Sequence, residues 1–302
     1  MTHINRLEQP NRQNKERQNE LLQHRFYPTF MVDVDSCLVG YRRGYGIEGI
    51  DILALMQGPE VERQVVGITN NAMGGDKPFN EALFERLNII KPKEKQLAKV
   101  EKIYLDNIVP DALETFNILR KMRVEISLLS GGFINMMGKL AEQLGIPLSQ
   151  IYANELFFDK NGEFIDFDRE NLLSKEGGKK LKIEKLLEKQ KITDPVAIVG
   201  DGTSELKTAP TTELRIGFGA FVQREKVEKE ADVFLTEPTF APLILLLLDP
   251  KRIRQIIYEQ PENRDVLQKA FNSIKNARFN NRAKNLKRSI DELYDEFAHF
   301  NY

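Results

Sequence analysis

The sequence lacks three features that would place it in a specialised class of protein. It has one cysteine in 302 residues, so no intrachain disulfide can form and a reducing compartment is favoured. Its 44 Lys and Arg residues are balanced by 45 Asp and Glu residues, which predicts no nucleic-acid binding. The longest apolar run, residues 241–248, is far shorter than the roughly 20 residues that cross a bilayer. Residues 1–23 also lack the apolar stretch of a signal peptide, so we expect a cytoplasmic protein without a membrane segment.

Short apolar runs alternate with helical patterns along the middle of the chain. The runs that are typical of buried strands lie at 124–129, 196–199, 214–218 and 231–235. Helical patterns fill intervals between them, for example at 134–144 and 181–191. Because strands that alternate with helices form a parallel sheet with helices on its faces, the sequence predicts an α/β fold.

Four segments stand apart from this alternation. Residues 1–25 form a polar extension, and residues 41–109 are mainly helical in pattern and could form a domain inserted after the first strand. An Asn-Gly pair between apolar runs predicts a small hairpin at about 155–168. Residues 249–302 form a helical C-terminal extension, interpreted first as helices that pack on the body of the protein. Self-association or partner binding through this extension is the alternative.

Two carboxylates, Asp33 and Asp35, follow a short apolar run that begins at Phe30. Residues two apart on a strand point to one face, and ligands bind at the carboxyl ends of the strands in open α/β sheets. Two carboxylates in one cleft repel each other unless a cation joins them or one holds a proton. The pair therefore indicates a metal site, an acid/base pair or both; an ordinary turn or surface loop is the structural alternative.

Three further clusters follow apolar runs. Ser130, with two glycines after it, could offer a hydroxyl and backbone N–H groups to an anion, although a plain strand-to-helix turn would explain it too. Asp201 lies between glycines and is a hard oxygen ligand suited to Mg²⁺, whereas Glu205 could simply cap a helix. The lysine run at 179–182 would ordinarily be surface charge. Taken together, the clusters favour phosphoryl transfer, which needs a nucleophile, positive charge and a metal.

In their order along the chain these clusters resemble the four motifs of the haloacid dehalogenase-like phosphatases. The matching segments are Asp33-Val34-Asp35-Ser36, Ser130-Gly131-Gly132-Phe133, Gly177-Gly178-Lys179 and Gly200-Asp201-Gly202. Within that superfamily the chain is most similar to the phosphoserine phosphatase family, through residues in 48–51, 72–87, 152–154 and 216–219. The resemblance covers about residues 30–248. It implies a Rossmann-like core made of 26–40 and 110–248, with a helical cap at 41–109.

The resemblance also implies the chemistry, which is a Mg²⁺-dependent hydrolysis of O-phosphoserine to serine and phosphate. Asp33 would be the nucleophile and form an aspartyl-phosphate. Asp35 would protonate the leaving alkoxide and then activate the hydrolytic water. Ser130 and the Gly131 N–H would hold the phosphoryl oxygens.

The resemblance further implies a lysine and a metal site. Lys179 keeps the adjacency to the two glycines, whereas Lys180 keeps the family's spacing to the following helix and to Asp201; we predict Lys180 as the motif lysine. Mg²⁺ would be held by Asp33, the backbone carbonyl of Asp35 and Asp201, with Glu205 nearby.

Substrate residues follow from the same resemblance. Glu48 matches the acid that binds the amino group of phosphoserine, and Arg86 matches the arginine that holds its carboxylate in a bidentate geometry. Met73 and Phe79 match apolar residues that close over the substrate. The expected partner is thus a small phosphate ester.

The chain departs from the family pattern at several positions. Cys37 stands where the family has a threonine, and sulfur is a poorer hydrogen-bonding group. Glu205 replaces the usual aspartate, and the loop before Glu48 is longer, with residues 41–46 unmatched. The longer loop leaves another small phosphate ester as the alternative substrate. A non-catalytic protein that binds a partner through the C-terminal extension is the third alternative.

Overall fold

The structure is a computed structural model of the 302-residue chain. It describes residues 21–41, 45–73 and 79–300, and within these ranges the side chains of residues 45, 69–73 and 79 lie outside the description. In this part of the chain no helix is both long enough and apolar enough to cross a bilayer.

Strands of the described residues form one large sheet and two small hairpins. Their bounds are β1 Thr29–Val32, β2 Gly40–Tyr41, β3 Tyr45–Gly46, β4 Glu125–Phe133, β5 Ile151–Asn154, β6 Leu156–Phe158, β7 Phe164–Phe167, β8 Val196–Gly200, β9 Leu214–Phe218, β10 Val233–Leu235 and β11 Arg278–Phe279. The seven-stranded sheet has the order β11-β10-β9-β8-β1-β4-β5. All its pairs are parallel except β10 with β11, so the α/β fold with a parallel sheet is confirmed.

Helices surround this sheet and fill the segment between β3 and β4. Their bounds are α1 Gly49–Gln57, α2 Pro59–Met73, α3 Phe79–Ile90, α4 Glu94–Asp106, α5 Ala112–Lys121, α6 Gly138–Gln143, α7 Gly178–Glu188, α8 Thr203–Leu206, α9 Glu225–Glu230, α10 Pro242–Leu247, α11 Pro250–Glu259, α12 Arg264–Ile274 and α13 Lys284–His299. Helices α1 to α4 pack on one another and form the cap, which follows β1 and the β2–β3 hairpin.

The cap rests partly on the β6–β7 hairpin. The turn of this hairpin contains the Asn-Gly pair, and Gly162 has a φ of +76°, which favours glycine. The Gly162 carbonyl accepts a hydrogen bond from the N–H of Glu94 at 2.9 Å. Lys93 Nζ also forms an ion pair with Glu163 at 2.8 Å. The hairpin therefore fixes the first turn of α4 relative to the core.

The C-terminal extension packs on the core through α12, which contacts α10. All six residues of α10 are buried, and Ile253, Leu267 and Phe271 of the extension are buried in the same apolar cluster. The extension is not wholly helical as expected, because β11 adds an antiparallel strand to the edge of β10. A two-residue strand has too short a pattern to be distinguished from a helical linker in sequence.

Candidate active site

The candidate catalytic residues meet at one edge of the sheet. Strands β8, β1 and β4 are neighbours and run parallel, so their carboxyl ends lie side by side. Asp33 follows β1, Asp201 follows β8, and Ser130 lies near the end of β4. This is the edge at which open α/β sheets bind ligands. Parallel pairing thus brings together residues that are far apart in the chain.

Asp33 is buried and one of its carboxylate oxygens is already held. Asp33 Oδ1 accepts a hydrogen bond from the Val34 N–H at 2.9 Å and contacts Lys179 Nζ at 2.8 Å. Burial raises the pKa of Asp33 well above its usual range; the positive charge of Lys179 opposes the rise, and the negative charge of Glu205 adds to it. Both of these contacts fall on Oδ1, and no described residue donates a hydrogen bond to Asp33 Oδ2.

The lysine beside Asp33 and Glu205 is Lys179, not the predicted Lys180. Lys179 Nζ lies between Asp33 and Glu205, at 2.8 Å and 2.5 Å, and its side chain is 9% exposed. Lys180 is 35% exposed and its Nζ lies 3.9 Å from Glu184 on the outer face of α7. Burial lowers the pKa of Lys179, but the charges of Asp33 and Glu205 outweigh burial and raise it, so the lysine stays protonated.

Asp35 is also buried, and the cap holds one of its oxygens. Asp35 Oδ1 accepts a hydrogen bond from the Gly49 N–H at 3.1 Å and another from the Tyr104 hydroxyl. Burial raises the pKa of Asp35 to about 6, and the hydrogen bonds from Tyr104 and Gly49 limit the rise. A carboxyl group with a pKa near neutrality can both give and take a proton.

Ser130 and its glycines lie directly beside Asp35. A side chain at position 132 would put its Cβ 2.6 Å from Asp35 Oδ2 and 3.2 Å from Ser130 Oγ, so only glycine fits there. The Gly132 N–H donates to Ser130 Oγ at 2.9 Å, and Asn154 Nδ2 donates to the Gly131 carbonyl at 2.8 Å. The strand-to-helix turn that was the structural alternative does not occur at Ser130, because β4 continues through Phe133 with an irregular register before a 3₁₀ turn follows.

Asp201 and Glu205 differ in what they contact. Arg224 donates two hydrogen bonds to Asp201 Oδ2, at 3.2 Å from Nε and 3.0 Å from Nη2. Glu205 caps the start of α8 by accepting from the Gly202 N–H at 3.1 Å, and it pairs with Lys179. Burial raises the pKa of Asp201, and Arg224 opposes that rise. Glu205 thus has the capping contact that was the structural alternative, and its place at a metal stays a prediction.

The donor set for a metal consists of carboxylates and a backbone carbonyl. Among the described residues, no three Asp, Glu, His or Cys side chains converge so as to hold a metal ion by themselves. The set implied by the resemblance needs only two carboxylates, those of Asp33 and Asp201, with the Asp35 carbonyl. These are hard oxygen donors, which suit Mg²⁺.

The expected substrate residues lie on the cap side of Asp35. Glu48 precedes α1 and accepts a hydrogen bond from Ser36 Oγ at 3.1 Å. Burial raises the pKa of Glu48 well above its usual range, and the negative charge of Asp35 adds to the rise. Arg86 is nearly buried on α3; burial lowers its pKa, whereas Asp51 and Glu48 oppose this effect. Glu48 and Arg86 are therefore electrostatic neighbours in the cap.

Three further positions singled out in the sequence make no described contact with the candidate catalytic residues. The predicted side chains of Met73 and Phe79 lie outside the described residues. Cys37 is fully buried, and burial raises the pKa of its thiol well above the usual range.

Two residues of the site were missed by sequence reasoning. Tyr104 lies on α4 and Arg224 lies just before α9, and neither falls within a matched motif. Tyr104 falls at a buried position of an amphipathic helix with Leu97 and Val100, so its pattern is that of a core residue. No local signal could have separated it from the core.

Comparison with known proteins identifies the class of this fold. A substrate-bound phosphoserine phosphatase complex shares 25% identity, with a TM-score of 0.59 over 72% of this chain and 97% of that one. A phosphoserine phosphohydrolase-like protein from Francisella tularensis shares the fold, with 24% identity and a TM-score of 0.60 over 69% and 95% of the two chains. No family model matches the chain. The fold and site define a hydrolase of the haloacid dehalogenase type.

Sequence relatives narrow this class to one family. The phosphoserine phosphatases of Bos taurus and Homo sapiens are each 35% identical over 205 residues, which is 68% of this chain and 87% of theirs. The chloroplastic phosphoserine phosphatase of Arabidopsis thaliana is 37% identical over 191 residues, 61% of this chain and 62% of that protein. The chain belongs to the phosphoserine phosphatase family. The predicted family and enzyme class, a phosphoric monoester hydrolase, are confirmed.

Proposed function

We propose that this chain hydrolyses O-phosphoserine to serine and phosphate, with Mg²⁺ and through an aspartyl-phosphate on Asp33. One observation carries the proposal. Asp33 is buried after the central strand β1, its Oδ1 is held by Lys179 and by the Val34 N–H, and it lies at the sheet edge where Asp35 and Ser130 also lie. The relatives that share this family are named for the same reaction.

In the first step Asp33 Oδ2 attacks phosphorus and the bond from phosphorus to the serine oxygen breaks. Asp35 gives its proton to the departing alkoxide, which a carboxyl group with a pKa of about 6 can do near neutral pH. Ser130 Oγ donates to a phosphoryl oxygen, with Gly131 beside it. Lys179, held by two carboxylates, keeps its charge next to the phosphoryl group.

In the second step water attacks phosphorus and the bond to Asp33 breaks. Asp35, now ionised, takes the proton from this water and returns to its starting state. Phosphate leaves and the nucleophile is restored. The two carboxylates thus have different roles: Asp33 is the nucleophile and Asp35 is the general acid and base.

Mg²⁺ would be held by Asp33, Asp201 and the Asp35 backbone carbonyl. Both contacts of Arg224 fall on Asp201 Oδ2, which leaves Oδ1 for the ion. The carboxylates of Asp33, Asp201 and Glu205 outnumber the cations beside them, Lys179 and Arg224, so a divalent cation would offset the excess negative charge. When bound, the ion would act as a Lewis acid and stabilise the negative charge on the phosphoryl oxygens. We assign Glu205 to holding Lys179 in place.

Selection of phosphoserine is assigned to the cap. Glu48 lies among several carboxylates, and an ammonium group placed there would relieve their repulsion. Arg86 would bind the substrate carboxylate, with Met73 and Phe79 covering the ligand. The β2–β3 hairpin lies in the lengthened loop close to this position, since Gly46 approaches Ser36. This loop is why another small phosphate ester stays the alternative substrate.

The test is phosphate release from a panel of esters with and without Mg²⁺. We expect O-phosphoserine to give the highest kcat/KM, chelation to abolish release, and Asp33→Asn to lower kcat by more than about a thousandfold because no nucleophile is left. No release from any ester would rule out the enzyme proposals. A higher kcat/KM for an unrelated ester would favour the alternative substrate.

Substrate selection is tested with Arg86→Ala on two esters. O-phosphoserine and O-phosphoethanolamine carry the same amine, but only the first has a carboxylate. We expect Arg86→Ala to raise KM for phosphoserine by about tenfold or more and to leave KM for phosphoethanolamine within about twofold, because a charged hydrogen-bonded contact is lost only with the first. Equal changes for both esters would contradict the assignment of Arg86 to the carboxylate.

A further inference from the structure

Tyr104 reaches the acid/base carboxylate from the cap. It lies on α4, is fully buried, and its hydroxyl donates a hydrogen bond to Asp35 Oδ1. The Gly49 N–H at the start of α1 donates to the same oxygen at 3.1 Å. Both donors belong to the cap, whereas Asp35 belongs to the core. The cap therefore holds one specific oxygen of the carboxylate.

The other oxygen of Asp35 is turned toward the phosphoryl site. Asp35 Oδ2 lies beside Gly132 and Ser130, since a Cβ on residue 132 would be 2.6 Å from Oδ2 and 3.2 Å from Ser130 Oγ. A carboxyl group has two oxygens that rotate together about one bond. Fixing Oδ1 with two donors thus fixes the direction of Oδ2, the oxygen that would carry the transferred proton.

Gly49 packs directly against the Tyr104 hydroxyl. A Cβ at position 49 would lie 2.4 Å from the Tyr104 hydroxyl and 2.8 Å from Met136 Cε. Glycine at position 49 is therefore what lets the hydroxyl and the N–H approach Asp35 side by side. Burial raises the pKa of Tyr104 well above its usual range, and Asp35 adds to the rise, so the hydroxyl keeps its proton and acts as the donor.

We propose that Tyr104 is a positioning residue that orients Oδ2 of Asp35 toward the leaving-group oxygen. Proton transfer then depends on how α4 packs against the core. The inference rests on the proposed role of Asp35. The Tyr104 hydroxyl contacts Asp35 Oδ1 and not the oxygen that would carry the proton, so its effect should fall on the rate of the chemical step rather than on substrate binding.

The test compares Tyr104→Phe with Tyr27→Phe. Tyr27 is likewise fully buried, but its hydroxyl has no hydrogen-bond partner among the described residues and lies outside the site. We expect Tyr104→Phe to lower kcat for phosphoserine about tenfold with KM changed less than twofold, as befits one charged hydrogen bond. Tyr27→Phe should leave both constants within twofold. Each variant is assayed below its unfolding midpoint.

A double-mutant cycle checks the contact without relying on activity. The unfolding equilibria of Tyr104→Phe, Asp35→Ala and the double variant are measured in denaturant. We expect the two single substitutions to change the unfolding equilibrium constant by factors whose product is about ten times the factor measured for the double variant. Additive effects within twofold would overturn the contact.

The outcomes separate this inference from the proposed function. An active wild-type chain whose kcat is unchanged by Tyr104→Phe would overturn the inference alone. A loss in which KM rises as much as kcat falls would also overturn it, because it would indicate general damage to the site. A wild-type chain that releases no phosphate removes the proposed function and this inference with it.

Discussion

At the scale of single residues, burial and ion pairing separate two adjacent lysines. Lys179 and Lys180 differ by about 100° around α7, so one faces the sheet edge and the other faces solvent. Lys179 compensates two buried carboxylates, and their charges stabilise its protonated form in return. The exposed contact of Lys180 with Glu184 is of the kind that contributes little.

This contrast predicts different effects for matched substitutions. We expect Lys179→Met to lower kcat for phosphoserine by at least about a hundredfold, since preorganised positive charge at the phosphoryl group is lost. Lys180→Met should leave kcat within about twofold. Steady-state kinetics of the two purified variants, with their unfolding midpoints as a control for folding, checks this. Equal losses would mean that both lysines reach the phosphoryl group and that the placement is incorrect.

At the scale of elements, a buried aspartate joins the C-terminal extension to the core. Asp232 is fully buried before β10 and accepts two hydrogen bonds from the guanidinium of Arg215 on β9, at 3.1 Å and 3.0 Å. Arg282 of the extension lies 3.0 Å away, and the Asn280 amide contacts the same carboxylate. The short strand β11 is thus held at the sheet edge by side chains as well as by its backbone.

Removing the charge of Asp232 should loosen this junction. We expect Asp232→Asn to lower the free energy of unfolding by about 3–5 kcal/mol, because two partly buried arginines lose their anion. Asp106→Asn serves as the control, since Asp106 pairs with Lys102 on an exposed helix face and should cost less than about 0.5 kcal/mol. Denaturant unfolding measures both variants. A similar small cost for both would show that the Asp232 network does not stabilise the junction.

At the scale of the whole molecule, the described N-terminal segment lies between the core and the extension. His24 Nε2 contacts the Leu245 carbonyl at 2.9 Å, and Nδ1 contacts Ser289 Oγ at 2.8 Å. A neutral tautomer with its proton on Nε2 satisfies both contacts. Burial lowers the pKa of His24 to about 4, although the Leu245 carbonyl opposes the change. Three distant parts of the chain therefore meet at one neutral histidine.

This arrangement predicts a pH dependence of stability. The unfolded chain binds a proton at His24 below about pH 6.5, whereas the folded chain does so only near pH 4. The free energy of unfolding should therefore fall as pH drops through this window, by at most about 1.4 kcal/mol per pH unit from this group. Unfolding of wild type and of His24→Gln between pH 4.5 and 7.5 measures the difference. Identical slopes would exclude His24 as a contributor.

The C-terminal extension also bears on assembly at this scale. Its apolar residues Ile253, Phe271 and Leu293 are buried in the same apolar cluster as the core. Tyr258 and Phe300 stay about half exposed and contact each other edge to face. Self-association through the extension stays a prediction.

The sequence by itself determined the fold class, the family and the enzyme class of this protein. Period-two and period-3.6 patterns are local, so the strands at β8 and β9 and the motifs after β1 and β8 could be read directly. Asp33, Asp35, Ser130 and Asp201 were found because each follows an apolar run that ends at the same sheet edge. The sequence did not predict the short strand β11, because two residues are too few to show a periodic pattern.

Only the tertiary structure decided which groups meet across elements. The choice between Lys179 and Lys180 depends on the rotation of α7 relative to the sheet, and motif spacing alone favoured the wrong residue. Tyr104 joins Asp35 because α4 packs over the strand ends, a contact between residues 69 positions apart. Patterns along a chain report which side of an element is buried, whereas the partner of a buried group is set by packing between elements. The orientation of the Asp35 carboxylate is therefore a property of the folded cap and core together.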